Sequence, residues 1–500
     1  MMLPLVALAR FLIHLFSTGM SEQGFHRTEL YLLACGERLA AGYLEFPPLS
    51  PWLARLAGTL SGHELLLFRA VPALAGALSV LMAGVIARQL GGGRFAQLLA
   101  ALALLFAPGS LLQGSLFCLG VFDTLLFSLA TSALLAAVRR DRPRYWLPFG
   151  AAIGFLLLNH FTNLLPACVL LIALAVSSAR THLRNRHFLL GCLLAVVLLL
   201  PNLVWQIRHA FPSLEYFRVA SMSGQIHVPV PVFLLGLTYV LHPLLLPVWF
   251  AGLCWLLFSG RGGVLRSLGW VFLISCAAMI VVQSIRPIRL MLLAPLLYAA
   301  GAVYLESLFR WRLLRVASIL LLILGGLATL PLAVPGLSPE QAAQYATRLF
   351  IPPVVAQHLS DRIGWREMAE NVAEACRALG PEEPRESAIL AGNYGEAAAL
   401  ELHLAGRNLP PILCGHNDYH AFSAAALERY GSPKTAIAIG WPVFHLHALF
   451  GEVKQVGVHR MPQARPGERN LPIYLCRLPK TPLDTYWEQV RTQFDDNRID

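Results

Sequence analysis

Acidic residues are scarcest where this sequence is most hydrophobic. Through the first 335 positions the only carboxylates are Glu22, Glu29, Glu37, Glu45, Glu64, Asp123, Asp141, Glu215 and Glu306. Charged residues of both signs make up 13% of the 500-residue chain, against about 25% in soluble domains. Hydrophobic residues make up 56%, and the mean hydropathy is +0.60. This excludes an ordinary soluble globular protein and indicates a polytopic membrane protein. Other absences narrow the reading further. The first hydrophobic run, Met2 to Met20, has no A-x-A-like cleavage site before Ser21, and Arg10 and His14 interrupt it. It reads as a retained first membrane helix rather than a secretory signal. There is no C-x-x-C and no metal-ligand spacing among the cysteines. Cys118, Cys168, Cys192, Cys254 and Cys276 lie in apolar runs as small hydrophobes, and Cys376, Cys414 and Cys476 form no even set for pairing. "GNYGEA" has too few glycines at the right spacing for a nucleotide-binding fingerprint. No tandem repeat or low-complexity segment is present.

What remains is a long series of apolar runs, near 2–20, 68–88, 96–114, 117–138, 145–159, 162–177, 188–206, 229–258, 267–285, 288–308 and 316–335. Runs of about 20 residues suffice to cross a bilayer as helices, so about eleven transmembrane helices are expected, with a bend at His242-Pro243 in the longest run. The net charge of +11 would suggest nucleic acid in a soluble chain. Here the basic residues sit in short loops, 87–94, 139–144, 177–186, 260–266 and 310–315, which all fall on one side when spans are counted. No nucleic-acid partner is expected; the positive-inside rule makes that side cytoplasmic. The loop 21–67, "NHFTN" (159–163), the 207–228 loop and "SIRPIR" (284–289) then face the other way. So does the C-terminal part.

From about 336 the composition changes. Residues 336–358 read as a Pro/Gly linker between a transmembrane domain, 1–335, and a soluble domain, 359–500. In the latter, "WREMAENVAEACRAL" has the pattern of an amphipathic helix. Short apolar stretches at 387–392, 410–415, 435–441, 453–460 and 472–478 read as strands. Strands alternating with helices imply a small α/β domain.

An ionisable residue at membrane depth is costly and marks a functional site by default. Asp141 and Glu306 lie at the cytoplasmic side, and Glu37 and Glu64 read as parts of solvated interfacial helices. Glu29 opens a helical stretch, "TELYLLACGERLA". Glu45 immediately precedes Phe46-Pro47-Pro48, and the two prolines fix the backbone that presents it. Asp123 lies a few residues into the apolar span "VFDTLLF", where an unpaired acid is expensive. The plain alternative for each is a salt bridge to a loop arginine. The same face carries His26, Arg27, Asn159, His160, Arg208, His209, Arg286 and Arg289. Carboxylates beside a cationic cluster suit a phosphate-bearing substrate: the cations hold the phosphate leaving group and a carboxylate takes the acceptor's proton. The alternative for Arg286 and Arg289 is contact with lipid headgroups.

The stretch "HRTELYLLACGERLAAGYLEFPPLSPWLARL" resembles the first external loop of glycosyltransferase family 39. Its members are membrane enzymes related to the dolichyl-phosphate-mannose protein mannosyltransferases and to the aminoarabinose transferases that act on lipid A, and they share the GT-C fold. The resemblance continues through "GGGRFAQLLAALALLFAPGSL", "VFDTLLFSLA", "GFLLLNHFTNLL", "LLPNLVWQIRHAFPSLEY" and "HPLLLPVWFAGL" to "AGNYGEAAALELH" and "CGHNDYHAF". It implies a sugar donor linked to a polyprenyl phosphate, a lipid, glycan or protein acceptor, and inverting transfer at the periplasmic face of a bacterial inner membrane. The expected catalytic base is Glu29 or Glu45. Arg27, His160, Arg208, His209 and Arg289 are the expected holders of the donor phosphate. Asp123, with Glu45, is available to a divalent cation, Mg or Mn, since hard oxygen ligands suit either. Three departures stand out. Thr28 replaces the aspartate usual before this glutamate, Phe46 replaces a Lys or His, and His160 stands where the family often has Lys. A lipid flippase, or a family member that binds polyprenyl lipid without catalysis, is the alternative function.

Overall fold

The computed structural model describes residues 2–222, 228–259, 263–282, 286–349, 351, 353–377, 379, 386–487 and 490. Parts of three expected loops, at 223–227, 260–262 and 284–285, lie outside the described residues, as does the 491–500 end of the soluble domain. The chain divides into two compact units, one of Met1–Ser21, Phe46–Ala210 and Gln225–Leu337, the other of Glu22–Glu45, Phe211–Gly224 and Ser338–Asp500. The division differs from a single cut after 335. The loop 21–67 splits at Glu45/Phe46, and its leading half belongs with the C-terminal residues.

The first unit is helical. Among the described residues, seven helices are long and apolar enough to cross a membrane: Met2–Gly19, Leu65–Gln89, Leu119–Arg139, Arg186–Arg208, Gly263–Val281, Pro287–Leu308 and Arg312–Ala333. Two more candidate spans are bent pairs, Arg94–Phe106 with Pro108–Gly114 and Val230–Val240 with Pro243–Phe258. With the shorter apolar helices Trp146–Leu157 and Phe161–Val176, each apolar run read from the sequence meets a helix. Both bends have a proline cause. Pro108 disfavours helical ψ at Ala107, which takes φ −62° and ψ 121°, and the axis turns by 65°. At the second bend the turn is 89°, and His242 adopts φ 70° before Pro243.

Breaking a helix inside a bilayer frees carbonyls that water cannot reach, so side chains must take their place. The buried Arg10 guanidinium donates to Leu105 O at 2.9 Å and to Ser110 O and Oγ, spanning the first break. At the second, the Tyr298 hydroxyl donates to Leu241 O at 2.8 Å and His242 Nδ1 accepts from Leu244 N–H at 3.1 Å. Elsewhere helices meet through small residues. A Cβ added to Gly252 or Gly301 would strike the backbone of the facing helix, the small-residue contact by which membrane helices approach closely.

The second unit is built on a five-stranded sheet of order β2-β1-β3-β5-β4: β1 Ser387–Ala391, β2 Ile412–Leu413, β3 Thr435–Ile439, β4 Phe450–Arg460 and β5 Asn470–Pro479. All five meet expected strands. β2, β1 and β3 run parallel, and β5 is antiparallel to both β3 and β4. The sequences SAILA and TAIAI of β1 and β3 are buried throughout, as strands covered on both faces require. Helices Tyr394–His403 and Tyr419–Tyr430 make the crossovers, and the expected amphipathic helix is Trp365–Cys376. The helix Arg27–Glu37 of the first loop and the helix Pro212–Met222 belong to this unit. All nine cysteines are free thiols.

Candidate active site

In the first unit the polar centre forms around Asp123. Its helix, Leu119–Arg139, contains no other acid, and the residue is 4% exposed. A buried carboxylate needs donors, and the turn after Trp146–Leu157 supplies them. Asn159 Nδ2 donates to Oδ1 at 2.8 Å and Asn163 Nδ2 to the same oxygen at 2.5 Å, while His160 Nδ1 lies 3.1 Å from Oδ2. Asn159 and Asn163 are anchored in turn, to Leu119 O at 2.9 Å and Leu156 O at 3.0 Å. The chain that leaves the Pro47-Pro48 turn is tied to the same place: Leu49 N–H donates to Leu158 O at 3.0 Å, and Ser50 Oγ to Asn159 Oδ1 at 2.5 Å. The half-buried His160 ring has its Nδ1 held by the carboxylate. A hydrogen bond of this kind orients an imidazole as a carboxylate orients a metal-binding histidine.

The other expected phosphate holders of this unit are spread along the chain. Arg208 ends the helix Arg186–Arg208 and is exposed. His209, also exposed, stacks on Trp205 with ring centroids 4.5 Å apart, and its Nδ1 lies 2.8 Å from Trp205 O. Arg289 is half-buried in the turn Pro287–Leu293.

In the second unit the first-loop residues take different parts. Glu29 is fully buried and closes a capping box: its Oε2 accepts from His26 N–H at 2.7 Å, while His26 Nδ1 accepts from Thr28 N–H at 3.1 Å. The loop-opening acid therefore has a structural partner at the start of its own helix. Arg27 is ion-paired with Glu468 and lies over the Trp365 and Tyr394 rings, 5.8 and 5.6 Å from their centroids. Its charge is thus engaged inside its own unit. Glu45 is half-buried and accepts from the Tyr216 hydroxyl.

Asp418, which sequence patterns do not single out, feels the charge of this carboxylate and holds the peptide just before it. Its Oδ2 accepts from the Tyr31 hydroxyl at 2.6 Å and its Oδ1 from Leu44 N–H at 2.8 Å. Burial pushes the Asp418 carboxyl up to about 7, with the Glu45 charge adding to the rise and the two hydrogen bonds opposing it. Burial likewise raises Glu396, to about 7, against hydrogen bonds from Gly392 N–H and Asn393. The only signal for Asp418 is its place in the "CGHNDYHAF" stretch; Tyr31 is 387 positions away.

The pair assigned to a cation, Glu45 and Asp123, belongs to two different units. Among the described residues no three His, Cys, Asp or Glu side chains gather as a metal-holding group. Asp123 already spends both oxygens on Asn159, Asn163 and His160.

Residues 45–205 match the family Dolichyl-phosphate-mannose-protein mannosyltransferase. This segment contains Glu45, Ser50, Asp123, Asn159, His160 and Asn163. No curated protein matches the chain. Among solved structures, ArnT from Cupriavidus metallidurans, in the apo state and bound to undecaprenyl phosphate, aligns with a TM-score of 0.61 and 18% identity, over 94% of this chain and 97% of that one. A mutant form of the arabinofuranosyltransferase AftD from Mycobacteria aligns with a TM-score of 0.51 and 16% identity, over 94% of this chain but 41% of that one. At such identities the likeness is one of fold. The apolar helices in series mark a multi-pass membrane protein; residues 45–205 carry the likeness to the mannosyltransferase family, and the solved glycosyltransferase structures share the fold.

Proposed function

We propose that the chain is a membrane glycosyltransferase that moves a sugar, a hexose or a pentose, from a polyprenyl-phosphate donor to a lipid, glycan or protein acceptor. The observation that carries this reading is the Asp123–His160 centre, a buried carboxylate holding a histidine inside the segment that matches the mannosyltransferase family. The fold likeness to an ArnT solved with undecaprenyl phosphate supports the donor class.

The roles divide by chemistry. Protonated at Nε2, His160 donates to a phosphate oxygen while Asp123 balances its charge. Arg208, His209 and Arg289 supply further donors to the departing phosphate. Glu45 accepts the proton of an acceptor hydroxyl or amine. As the acceptor's oxygen or nitrogen bonds to the anomeric carbon, the bond from that carbon to the phosphate oxygen breaks, and its electron pair leaves with the polyprenyl phosphate. This single displacement inverts the anomeric centre and needs no covalent intermediate. Two assigned residues take other parts: Glu29 caps its helix, and Arg27 ties the loop to Glu468. Transfer measured with and without a chelator tests whether a divalent cation, Mg or Mn, takes part. The gathering of basic loops on one side supports a non-cytoplasmic location for the second unit, periplasmic if the membrane is a bacterial inner membrane.

The test is transfer from a radiolabelled polyprenyl-phosphate sugar to membrane acceptors by the purified protein in lipid nanodiscs. Labelled product together with released polyprenyl phosphate, both lost in Glu45→Ala, supports the assignment. Passage of intact donor between leaflets without bond cleavage supports a flippase instead. Donor binding with neither result supports a non-catalytic lipid-binding protein.

A further inference from the structure

The second unit holds a parallel α/β sheet without a phosphate-binding loop. In such sheets ligands bind outside the carboxyl ends of the strands, at the point where the strand order reverses. Here that point lies between β1 and β3, since β1 leads outward to β2 and the chain then returns to β3. The segments that leave these carboxyl ends meet the chain's own first loop. Tyr394, after β1, packs on Tyr31 with ring centroids 4.7 Å apart, and a Cβ on Gly395 would meet the Arg27 side chain. After β2, the segment 414–418 ends on Asp418, which accepts from Tyr31 and from Leu44 N–H. After β3, Gly440 adopts φ 70° and lies against Glu396.

The loop is gripped along its whole length. Arg27 pairs with Glu468 at the start of its helix. Past the other end, the Arg38 guanidinium makes two hydrogen bonds to Glu401, which also accepts from Tyr419 at 2.7 Å. The Tyr43 hydroxyl donates to Cys35 O at 2.8 Å, and Tyr43 O accepts from Ser213 Oγ at 3.1 Å. Glu45 is the last residue of this stretch of the second unit, with Phe46 between it and the Pro47-Pro48 turn. The nearest of these fixed points to it in sequence is Leu44 N–H, and its acceptor is Asp418.

We propose that Asp418 is a positioning residue for Glu45: it fixes the Leu44 peptide and, through Tyr31, the loop helix, so that the side chain of the next residue stands where a base must stand. The C-terminal α/β domain then serves as a clamp whose usual ligand crevice holds the loop that delivers the reactive carboxylate. Tyr216 completes the clamp by donating to Glu45 itself. This inference rests on the assignment of Glu45 as the base.

The experiment measures kcat and donor KM of Asp418→Ala, Asp418→Asn, Tyr31→Phe and Glu45→Ala in the full-length protein, with the thermal midpoint of each. A misplacement of about 1 Å costs on the order of a hundredfold in rate. Asp418→Ala is therefore expected to lose roughly ten- to a hundredfold in kcat with donor KM unchanged. Asp418→Asn keeps an oxygen for Leu44 N–H and is expected to recover most of the rate. Tyr31→Phe, which removes one hydroxyl, is expected to fall between Asp418→Asn and Asp418→Ala. Wild-type kcat in Asp418→Ala overturns the proposal, and so does an Asn variant as slow as the Ala variant with an unchanged midpoint. If Asp418→Ala fails to fold, the Asn and Phe variants decide, because a fast Asn variant with a slowed Phe variant requires the two hydrogen bonds and not the charge. Full activity in Glu45→Ala overturns the assignment of the base, whatever the Asp418 variants do.

Discussion

Asp123 Oδ2 lies 3.1 Å from His160 Nδ1, in a centre where the other carboxylate oxygen takes two asparagine amides. In the proposed mechanism the pair works as one unit, so that removing either member misdirects the other. Residues that orient a reactive imidazole cost about 10–100-fold when lost. Asp123→Ala and His160→Ala are each expected to lower transfer by that amount. The double variant is expected to be no worse than the slower single, and additive losses in the transfer assay count against a shared role.

Glu29 and Glu45, interchangeable on sequence, separate in the structure. Glutamine serves a capping box as well as glutamate. Glu29→Gln is therefore expected to keep near-wild-type transfer, whereas Glu29→Ala lowers stability by about 1 kcal/mol. Glu45→Gln cannot accept a proton and is expected to lose about 10²–10⁴-fold in rate. Comparing the two glutamine variants in one assay identifies the base; a silent Glu45→Gln beside a dead Glu29→Gln reverses the assignment.

Arg27 and Arg289 offer a second contrast. Arg27 is paired with Glu468 in a mostly buried setting, and removing one partner of such a pair costs about 3–5 kcal/mol. Arg27→Ala is expected to lower the unfolding midpoint while leaving donor KM near wild type. Arg289→Ala is expected to do the opposite, raising donor KM at nearly constant stability. Thermal unfolding and donor titration on the same preparations check both.

Burial raises Glu396 and Asp418 to about 7, well above the ordinary carboxylate value of about 4. Both therefore hold protons more tightly folded than unfolded. Their contribution to stability is full below about pH 4 and is lost as pH rises through about 7. For each group a shift of this size corresponds to roughly 3–4 kcal/mol. Unfolding of the full-length protein is expected to shift to lower temperature between pH 5 and pH 8, and Glu396→Gln is expected to flatten that slope. An identical slope in the variant rules out Glu396 as a source.

Much of the fold was legible because it rests on local pattern. Each apolar run became a helix, and the bend at His242-Pro243 followed from proline chemistry. Alternating short strands and helices after 386 gave the α/β sheet. The split of the first external loop was not legible. The run 21–67 has no composition break at Glu45, and the assignment of 22–45 to the C-terminal unit depends on partners such as Asp418 and Glu401, more than 350 positions away in sequence. Asp123 was found because an acid in an apolar span is conspicuous. Asp418 was not, because an acid in a soluble domain is ordinary until its burial is known.

The sequence by itself determined the membrane-spanning character, the order of the helices, the α/β nature of the C-terminal part and the short roster of acids and cations able to do chemistry. These follow from hydrophobic period, chain length and the cost of charge in hydrocarbon, all properties of neighbouring residues. Only the tertiary structure decided which member of that roster is engaged and which is left to act. It made Glu29 a cap, tied Arg27 to Glu468, set His160 against Asp123 and brought Asp418 beneath the Leu44 peptide. Hydrogen bonds form between groups that folding brings within 3 Å or so, and nothing in the spacing of residues along the chain encodes which distant groups those are.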